Sequence, residues 1–509
     1  MGHISRRGQK GPDVPQGSHS ARKVAGDTVI TVAERLVSQA AQFVIFILAA
    51  RTLGPAEFGI FALASACAML LHQAAEAGWA PFILSRSGDE TVPLQVLFIA
   101  IISGIGFGFL GGGAALVAGR FGLTADLVAL LLYFALWVAL ATAWSAQKGV
   151  MVWMGRLKAA AWCEIAGEMV GLGVACAALV GGAGVFALVY GRIACQTVSL
   201  ILGFATTRRA PRTGMARPVM HELWVFSSLI FSSRMLVNLR LHFVTLIIGA
   251  FLGPAAVGFY RAAERLVGAV WELITVPGQL LAWTQLRRAR DSGPPEERGM
   301  RVNLQVARHL KMVVVLGAPL MLWLILLSGQ IVGGLLGAEW QPVAALVAIL
   351  AAGRLLMLMG ILTEPLMSLM GAVRRLPGYM AAVFGVSVAL TFAAAPYGVL
   401  PLAWSQFVLA ILVLGATIWL FTRYAGIRWA PVLNALRGAV LPVACGTASI
   451  AALDLAAAGH GVPDLVAAVA FGLIGAAVQF GAILVFDRSF GMELLEIFRP
   501  TPPPKGATS

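Results

Sequence analysis

Charged residues are scarce in this chain of 509 residues. Asp, Glu, Lys and Arg together make up 12% of the positions and hydrophobic residues 59%, whereas a soluble domain has about 25% charged and about 45–50% apolar residues. A soluble protein of this length could not bury so large an apolar fraction in its core. The composition therefore argues against a soluble protein and indicates an all-α, polytopic membrane protein.

The sequence motifs of catalysis and of metal binding are also lacking. The five cysteines lie inside apolar segments without the C-x-x-C spacing of a zinc or redox site. No G-x-x-x-x-G-K-[ST] loop occurs, which argues against the nucleotide-hydrolysing part of a pump. There is no nucleophile elbow and no room for a catalytic domain in the short outside loops. We therefore expect no enzyme activity, no cofactor and no metal site.

Long apolar segments, by contrast, are abundant. About fourteen of them recur along the chain, each long enough to cross the roughly 30 Å hydrocarbon layer as a helix. Their spacing divides the chain into a disordered basic tail (1–27), an N-lobe of six helices (28–205), a linker (206–222), a C-lobe of six helices (223–421), two further helices (422–486) and a second tail (487–509).

The basic residues are unevenly distributed between the two sides of the membrane. Most lie in the tails and in alternate short loops, whereas Arg51 and Arg120 fall in loops on the opposite side. The positive-inside rule then places both termini on the cytoplasmic side of the membrane. The net charge of +14 follows from this topology, so it does not indicate nucleic-acid binding.

The chain contains an internal similarity at an offset of 199 residues. The offset aligns residues 53–56 (LGPA) with residues 252–255 (LGPA), Gly59 with Gly258, and Arg35 with Arg234. Because it spans six helices, both copies enter the membrane in the same sense, as in parallel repeats related by an axis along the membrane normal. The alternative is a chance match, since Leu-Gly-Pro is an ordinary helix-ending turn.

Arginines within the predicted spans are costly when they face lipid. Each costs about 2.5–3.5 kcal/mol near the bilayer centre, so most must face protein or a wet cavity. Such arginines occur at seven positions, namely Arg35, Arg192, Arg234, Arg240, Arg261, Arg265 and Arg354.

These arginines suggest an anionic ligand, because planar guanidinium groups suit bidentate phosphate contacts. The first six helices hold fewer arginines than glutamates, and helices seven to ten hold more, so we expect the anion nearer the second lobe. The alternative is structural pairing with the glutamates of the spans. The predicted diphosphate cavity is built from Arg35, Arg234, Arg240, Arg261, Arg265 and Arg354.

Acidic and titratable residues of the spans are candidates for coupling or gating. His72, Glu76 and Trp79 share one helical face, which suits a proton-sensitive pair or a simple contact between two helices. Glu364 precedes Pro365, which predicts a helix kink near Arg354; the alternative is an Arg–Glu bridge. The candidates are Glu34, His72, Glu76, Glu272 and Glu364.

Three segments resemble a known family. They are residues 50–59 (ARTLGPAEFG), 251–263 (FLGPAAVGFYRAA) and 336–340 (LGAEW). With the span pattern over residues 28–486, they resemble the O-antigen flippase-like polysaccharide biosynthesis proteins of the multidrug/oligosaccharidyl-lipid/polysaccharide exporter superfamily.

The resemblance implies two six-helix lobes around a central cavity that opens alternately to either side, with two additional C-terminal helices. It also implies the substrate, an undecaprenyl-diphosphate-linked oligosaccharide flipped for exopolysaccharide, capsule or O-antigen synthesis. Membrane lipid, a polymerase and glycosyltransferases of the same pathway are the expected partners, and nucleic acid is not.

Two other functions remain open at this stage. A multidrug or cation antiporter of the same superfamily would require an acidic cavity, which the surplus of arginine disfavours. A membrane glycosyltransferase or polymerase would require a larger outside loop than the sequence provides.

Overall fold

A computed structural model describes residues 18–86, 88–457 and 463–492. Within these ranges it describes no side chains for residues 18–29, 31–33, 229–230, 232–234, 236–238 and 240–241. The backbone so described is helical with short connections and includes no β-strand. An all-helical fold is what the composition predicts.

The first lobe consists of helices α1 to α7. Their bounds are α1 Ser18–Thr52, α2 Pro55–Glu76, α3 Trp79–Ser85, α4 Thr91–Arg120, α5 Ala125–Trp153, α6 Leu157–Val180 and α7 Phe186–Thr207. Helix α1 thus begins earlier than the predicted first span at residue 28, and residues 1–17 of the predicted tail lie outside the described residues. Pro55 stands in the first turn of α2, where a missing N–H leaves no hydrogen bond unmade.

The second lobe and the terminal helices follow. They are α8 Arg217–Asp291, α9 Arg298–Leu326, α10 Ser328–Leu336, α11 Val343–Leu356, α12 Thr363–Leu369, α13 Leu376–Ala394, α14 Val399–Ala425, α15 Trp429–Ala457 and α16 Asp464–Phe486. Gly253, with φ 79° and ψ −179°, breaks α8 into two parts, 217–252 and 254–291. Only glycine adopts that conformation without steric strain, so the turn predicted at this Leu-Gly-Pro sequence is present.

Twelve helices in the described part of the chain are long and apolar enough to cross a membrane. They coincide with twelve of the spans predicted from hydropathy. The two remaining predictions fall on α1 and on the first part of α8, where side chains are only partly described. The protein is therefore an all-helical, multi-pass membrane protein.

The helix predicted to kink at Glu364-Pro365 is interrupted just before that pair. Helix α11 ends at Leu356, and a 3-10 segment, Met357–Leu362, separates it from α12. The rod that crosses the membrane here consequently has a break next to Arg354, close to where the proline predicts one.

The two lobes pack closely through α2 and α8. Gly59 of α2 lies against the carbonyl of Pro254, and Gly258 of α8 lies against the carbonyl of Pro55. A Cβ atom at either glycine would overlap the opposite backbone. The sequence predicts that this end of the bundle faces outside, and we call it the outer end.

A second set of contacts joins the lobes at the outer end. Trp340, buried between α10 and α11, donates its indole N–H to the Ala50 carbonyl at 2.8 Å and meets the edges of the Phe58 and Phe259 rings. Arg51 donates to the carbonyls of Leu335 at 2.8 Å and Gly334 at 2.5 Å. These carbonyls end α10 and have no partner within the helix, so Arg51 both caps α10 and connects it to the first lobe.

Candidate functional site

A cavity of about 230 Å³ lies between the two lobes. Helices α1, α2, α5, α6 and α7 of the first lobe and α8 of the second contribute its walls, and we call it the central cavity. Its polar and charged lining residues are Gln42, Ser65, Glu168, Arg192, Gln196, Arg261 and Arg265. Aromatic side chains, among them Phe46 and Phe58, supply much of the remaining wall.

Arg192 of α7 is held in the cavity wall by aromatic rings. Its guanidinium carbon lies 5.7 Å from the centre of the Phe61 ring and 5.8 Å from that of Trp137. It is within electrostatic range of Glu168, Arg261 and Arg265. Cation–π contacts orient a guanidinium and leave its N–H donors free, so Arg192 can donate hydrogen bonds to a ligand in the cavity.

Arg261 and Arg265 present a second basic surface from α8. They are four residues apart and so lie on one helical face. Arg261 Nη1 donates to Glu264 Oε2 at 2.7 Å. Arg265 has no hydrogen bond or close ion pair to a described residue, and its nearest charges are Glu272 and Arg261. Arg265 is therefore the α8 arginine whose donors are available to a ligand.

Glu168 is the carboxylate that lines the central cavity. It accepts a hydrogen bond from Gln42 Nε2 at 3.3 Å and lies within electrostatic range of Arg192. Three arginines and one glutamate thus line the central cavity. With this surplus of guanidinium groups, the cavity suits a compact anion such as a diphosphate better than a cation.

The predicted arginines occupy several different places. Arg261 and Arg265 line the central cavity, whereas the side chain of Arg35 is exposed and does not line it. The side chains of Arg234 and Arg240 lie outside the described residues. Arg192, which we did not include in the predicted site, completes the basic wall from the first lobe. Among the described side chains, the central cavity thus has one arginine from the first lobe and two from the second, and the location of the anion nearer the second lobe stays a prediction.

Arg354 lines a different, smaller pocket inside the second lobe. This lobe pocket has a volume of about 110 Å³ and is bordered by Tyr260, Glu264, Arg354, Ser387 and Gln406 among others. The guanidinium carbon of Arg354 lies 5.5 Å from the centre of the Trp271 ring. Arg354 makes no hydrogen bond or close ion pair to the described residues, so its charge is balanced there only at longer range.

Glu34, a candidate for coupling, belongs to an ionic cluster in the first lobe. Lys148 Nζ lies 2.6 Å from Glu34 Oε1 and also contacts the Glu164 carboxylate. The cluster joins α1, α5 and α6 with two carboxylates around one ammonium. The contacts of Lys148 with both carboxylates stabilise the packing of these three helices.

His72 and Glu76 both contact α5. His72 Nδ1 is 3.1 Å from Thr142 Oγ1, and Ser145 Oγ donates to Glu76 Oε1 at 3.0 Å. The two side chains thus join α2 to α5, which is the structural role considered as an alternative. Their role in coupling stays a prediction.

Glu272 lies on α8 and Glu364 near the start of α12. Glu272 is partly buried near Arg265, as their seven-residue spacing on one face predicts. Glu364 is exposed and accepts a hydrogen bond from Gln279 Nε2 at 3.2 Å. An ion pair between Glu364 and Arg354 is absent from the described contacts.

Sequence reasoning missed Arg192 and Lys148 as functional neighbours of the predicted residues. Arg192 lies within a predicted span, and Gln196 and Ser199 follow it on the same face of α7 at four- and seven-residue spacing. This polar stripe is the signal that could have identified the face. Lys148 follows the end of the fourth predicted span, although α5 continues to Trp153. The predicted span ends before Lys148, so Lys148 was not considered as a residue of the helix.

The chain is similar to known proteins of membrane transport. Residues 47–345 match the model of a family described as polysaccharide biosynthesis protein. A solved structure of the lipid II flippase MurJ in an inward closed conformation has a TM-score of 0.69 and 12% sequence identity, covering 92% of this chain and 99% of that chain. No significant match was found among curated proteins.

A second solved structure is an inward-facing multidrug resistance MATE family transporter of the MOP superfamily. It has a TM-score of 0.56 and 14% identity, and covers 76% of this chain and 96% of that chain. At such identities the likeness to both structures concerns the fold, which is that of two-lobed flippases and exporters.

Proposed function

The chain belongs to the polysaccharide biosynthesis protein family, and from that premise we propose that it is a flippase for undecaprenyl-diphosphate-linked oligosaccharide. It moves this substrate across the bacterial inner membrane for the synthesis of exopolysaccharide, capsule or O-antigen. The observation that carries the proposal is the central cavity, which Arg192, Arg261 and Arg265 line together with Glu168.

The proposed mechanism assigns the diphosphate to the basic wall of the central cavity. Arg192 contacts it from the first lobe, and Arg261 and Arg265 contact it from the second. Because the cavity of about 230 Å³ is smaller than the roughly 300–1,000 Å³ of ordinary ligand pockets, an oligosaccharide requires the lobes to separate. Alternating opening of the two ends then carries the headgroup across, while the polyprenyl chain stays in lipid.

The carrier role requires no bond to be made or broken in the substrate. The arginines neutralise a charged headgroup that would otherwise cross an apolar layer at high cost. In this proposal the protein acts as a transporter and not as an enzyme. Membrane potential or ion antiport supplies the direction of transport, with polymerase and glycosyltransferases of the pathway acting before and after it.

Reconstitution in proteoliposomes tests the proposal. A fluorescently labelled polyprenyl-diphosphate oligosaccharide is added, and its transfer between leaflets is followed by quenching of the outer leaflet. We expect transfer to depend on the protein and to fall about 100-fold or more in the Arg192→Gln, Arg265→Gln double variant, because two charge-assisted contacts of roughly 1.5–3 kcal/mol each are lost.

The matched control is Arg375→Gln. Arg375 also lies over an aromatic ring, that of Tyr424 at 5.2 Å, but it lines neither pocket, so transfer should be unchanged. Wild-type rates in the double variant would refute the role of the cavity, and the absence of protein-dependent transfer would refute the flippase.

A cation antiporter is the second candidate, and Glu168 is the residue that favours it. A carboxylate beside Trp137 and Phe61 is the arrangement that a lipophilic cation would use. Saturable binding of a cationic dye that is lost in Glu168→Gln would support this candidate over the flippase.

A further inference from the structure

Glu264 stands between the central cavity and the lobe pocket. Its carboxylate pairs with Arg261, which lines the central cavity. Glu264 also borders the lobe pocket together with Tyr260, its neighbour one turn away on α8. The Glu264 carboxylate therefore contacts an arginine of the central cavity on one side and is open to the lobe pocket on the other.

Arg354 borders the lobe pocket opposite α8. It has no ion pair within 4.0 Å among the described residues, although Tyr260 is within electrostatic range of Glu264, Arg261 and Arg354 alike. The pocket volume of about 110 Å³ leaves room for a glutamate side chain to rotate. Glu264 and Arg354 line this same pocket, so Arg354 is a second guanidinium toward which the carboxylate can turn.

An anion bound at Arg261 and Glu264 compete for one guanidinium. The carboxylate occupies Arg261 Nη1 at 2.7 Å and repels any second negative charge at that distance. Rotation of Glu264 toward Arg354 would remove the competition and would pair the Arg354 charge, whose close contact among the described residues is the Trp271 ring. Both effects favour the same movement.

We propose that Glu264 is an exchangeable carboxylate, paired with Arg261 in the empty central cavity and transferred to Arg354 when an anionic headgroup binds there. Arg354 is then a positioning residue, which acts on the substrate through Glu264. The inference rests on the proposed binding of a diphosphate headgroup in the central cavity.

The location of Arg354 gives the exchange a structural consequence. Arg354 lies in the last turn of α11, immediately before the 3-10 segment Met357–Leu362. A short 3-10 stretch inside a helical rod is a common position for a hinge. Pairing of Arg354 with Glu264 draws the end of α11 toward α8 at this segment. Ligand binding in the central cavity therefore changes the position of α11 at the helix break.

Binding of inorganic pyrophosphate to the purified full-length protein tests the exchange by calorimetry. Glu264→Gln removes the competing charge, and we expect affinity to rise about three- to tenfold. Arg354→Gln removes the alternative partner, and affinity should fall about three- to tenfold. In the Glu264→Gln background Arg354→Gln should have no further effect, and Arg354→Lys should retain wild-type affinity.

Matched controls are Arg375→Gln and Glu339→Gln, which neutralise residues away from both pockets and should leave affinity unchanged. If Arg354→Gln does not fold, Arg354→Met provides the same loss of charge and Glu264→Gln is compared with Glu264→Asp, which keeps the competing charge. Melting temperatures of all variants separate loss of binding from loss of structure.

The outcomes separate the exchange from the proposed function. The exchange would be overturned if Arg354→Gln lowered pyrophosphate affinity equally in the wild-type and Glu264→Gln backgrounds. Lower affinity in Glu264→Gln alone would also overturn it, because Glu264 would then be holding Arg261 in position. Absence of pyrophosphate binding by the wild type would overturn the exchange and the anionic cavity together. If pyrophosphate binds to all variants with the expected affinities but the labelled oligosaccharide is not transferred, only the proposed flippase function is refuted.

Discussion

Gly59 and Gly258, which the 199-residue offset aligns, each pack against the proline carbonyl that precedes the other in its own helix. Gly59 meets Pro254, and Gly258 meets Pro55. The contact is reciprocal, as expected for two elements related by a twofold axis. It closes the outer end by direct backbone approach, which leaves no space for even one methyl group.

Replacement of either glycine by alanine should open this contact. A Cβ atom that meets backbone cannot be accommodated by a side-chain rotation, so we expect Gly59→Ala or Gly258→Ala to destabilise the closed outer end by at least about 1–3 kcal/mol. Melting temperature in detergent and labelling of introduced cysteines near Leu53 measure the effect. Gly268→Ala is the control, because a Cβ there meets nothing within 4 Å and the residue lies on the same helix as Gly258.

The Lys148 cluster should contribute to the stability of the first lobe. Lys148→Met leaves Glu34 and Glu164 as two unpaired carboxylates, and the loss of a fully buried partner costs about 3–5 kcal/mol. Because the Lys148 side chain is 30% exposed, we expect a smaller loss of about 1–3 kcal/mol. Thermal unfolding should show recovery in the triple variant Glu34→Gln, Lys148→Met, Glu164→Gln. A triple variant less stable than Lys148→Met would contradict the prediction.

Glu168 should oppose the binding of anions in the central cavity. Neutralisation by Glu168→Gln removes the negative charge near Arg192, and pyrophosphate affinity should rise about threefold to tenfold. The amide keeps the contact with Gln42, so the shape of the cavity is retained. Calorimetry measures the change, with Glu339→Gln as the control, and a decrease in affinity would show that Glu168 holds Arg192 in place.

Asp487 should make the junction of α16 with α9 sensitive to acid. Burial alone would raise the pKa of this carboxyl, but hydrogen bonds from Lys311, the Phe490 N–H and Ser489 hold the pKa below its ordinary value. Its contribution to stability is therefore complete above the ordinary pKa near 4 and is lost as pH falls through the lower folded pKa. Asp487→Asn should lower the melting temperature at pH 7, and the difference from wild type should shrink below pH 4. A difference independent of pH would argue against the ion pair.

The spans and the second-lobe arginines of the cavity were predictable from sequence because the lipid bilayer restricts which residues can face it. Apolar length and the cost of buried charge are set by the bilayer, so Arg261 and Arg265 had to face protein or water. The turn at Gly253 was predictable as well, since Leu-Gly-Pro restricts the backbone. These features depend on the local sequence and on the membrane alone.

The composition of the cavity was not predictable in the same way. Gln196 and Ser199 share a helical face with Arg192 on α7, but such a stripe does not tell whether the face meets a cavity or a neighbouring helix. Arg354 lies in a separate pocket because α11 packs inside the lobe, which is a property of the tertiary arrangement. The pairing of Lys148 with residues from α1 and α6 likewise depends on contacts between distant parts of the chain.

Trp340 and Arg51 together hold α10 against the first lobe through a small number of contacts. The indole hydrogen bond to Ala50, the two ring contacts of Trp340 and the two hydrogen bonds of Arg51 must all be released before α10 can leave that lobe. In the proposed transport cycle, a substitution at this tryptophan would change the rate at which the outer end opens and would leave the charges of the cavity arginines in place. The rate of transport and the choice of substrate could then evolve independently.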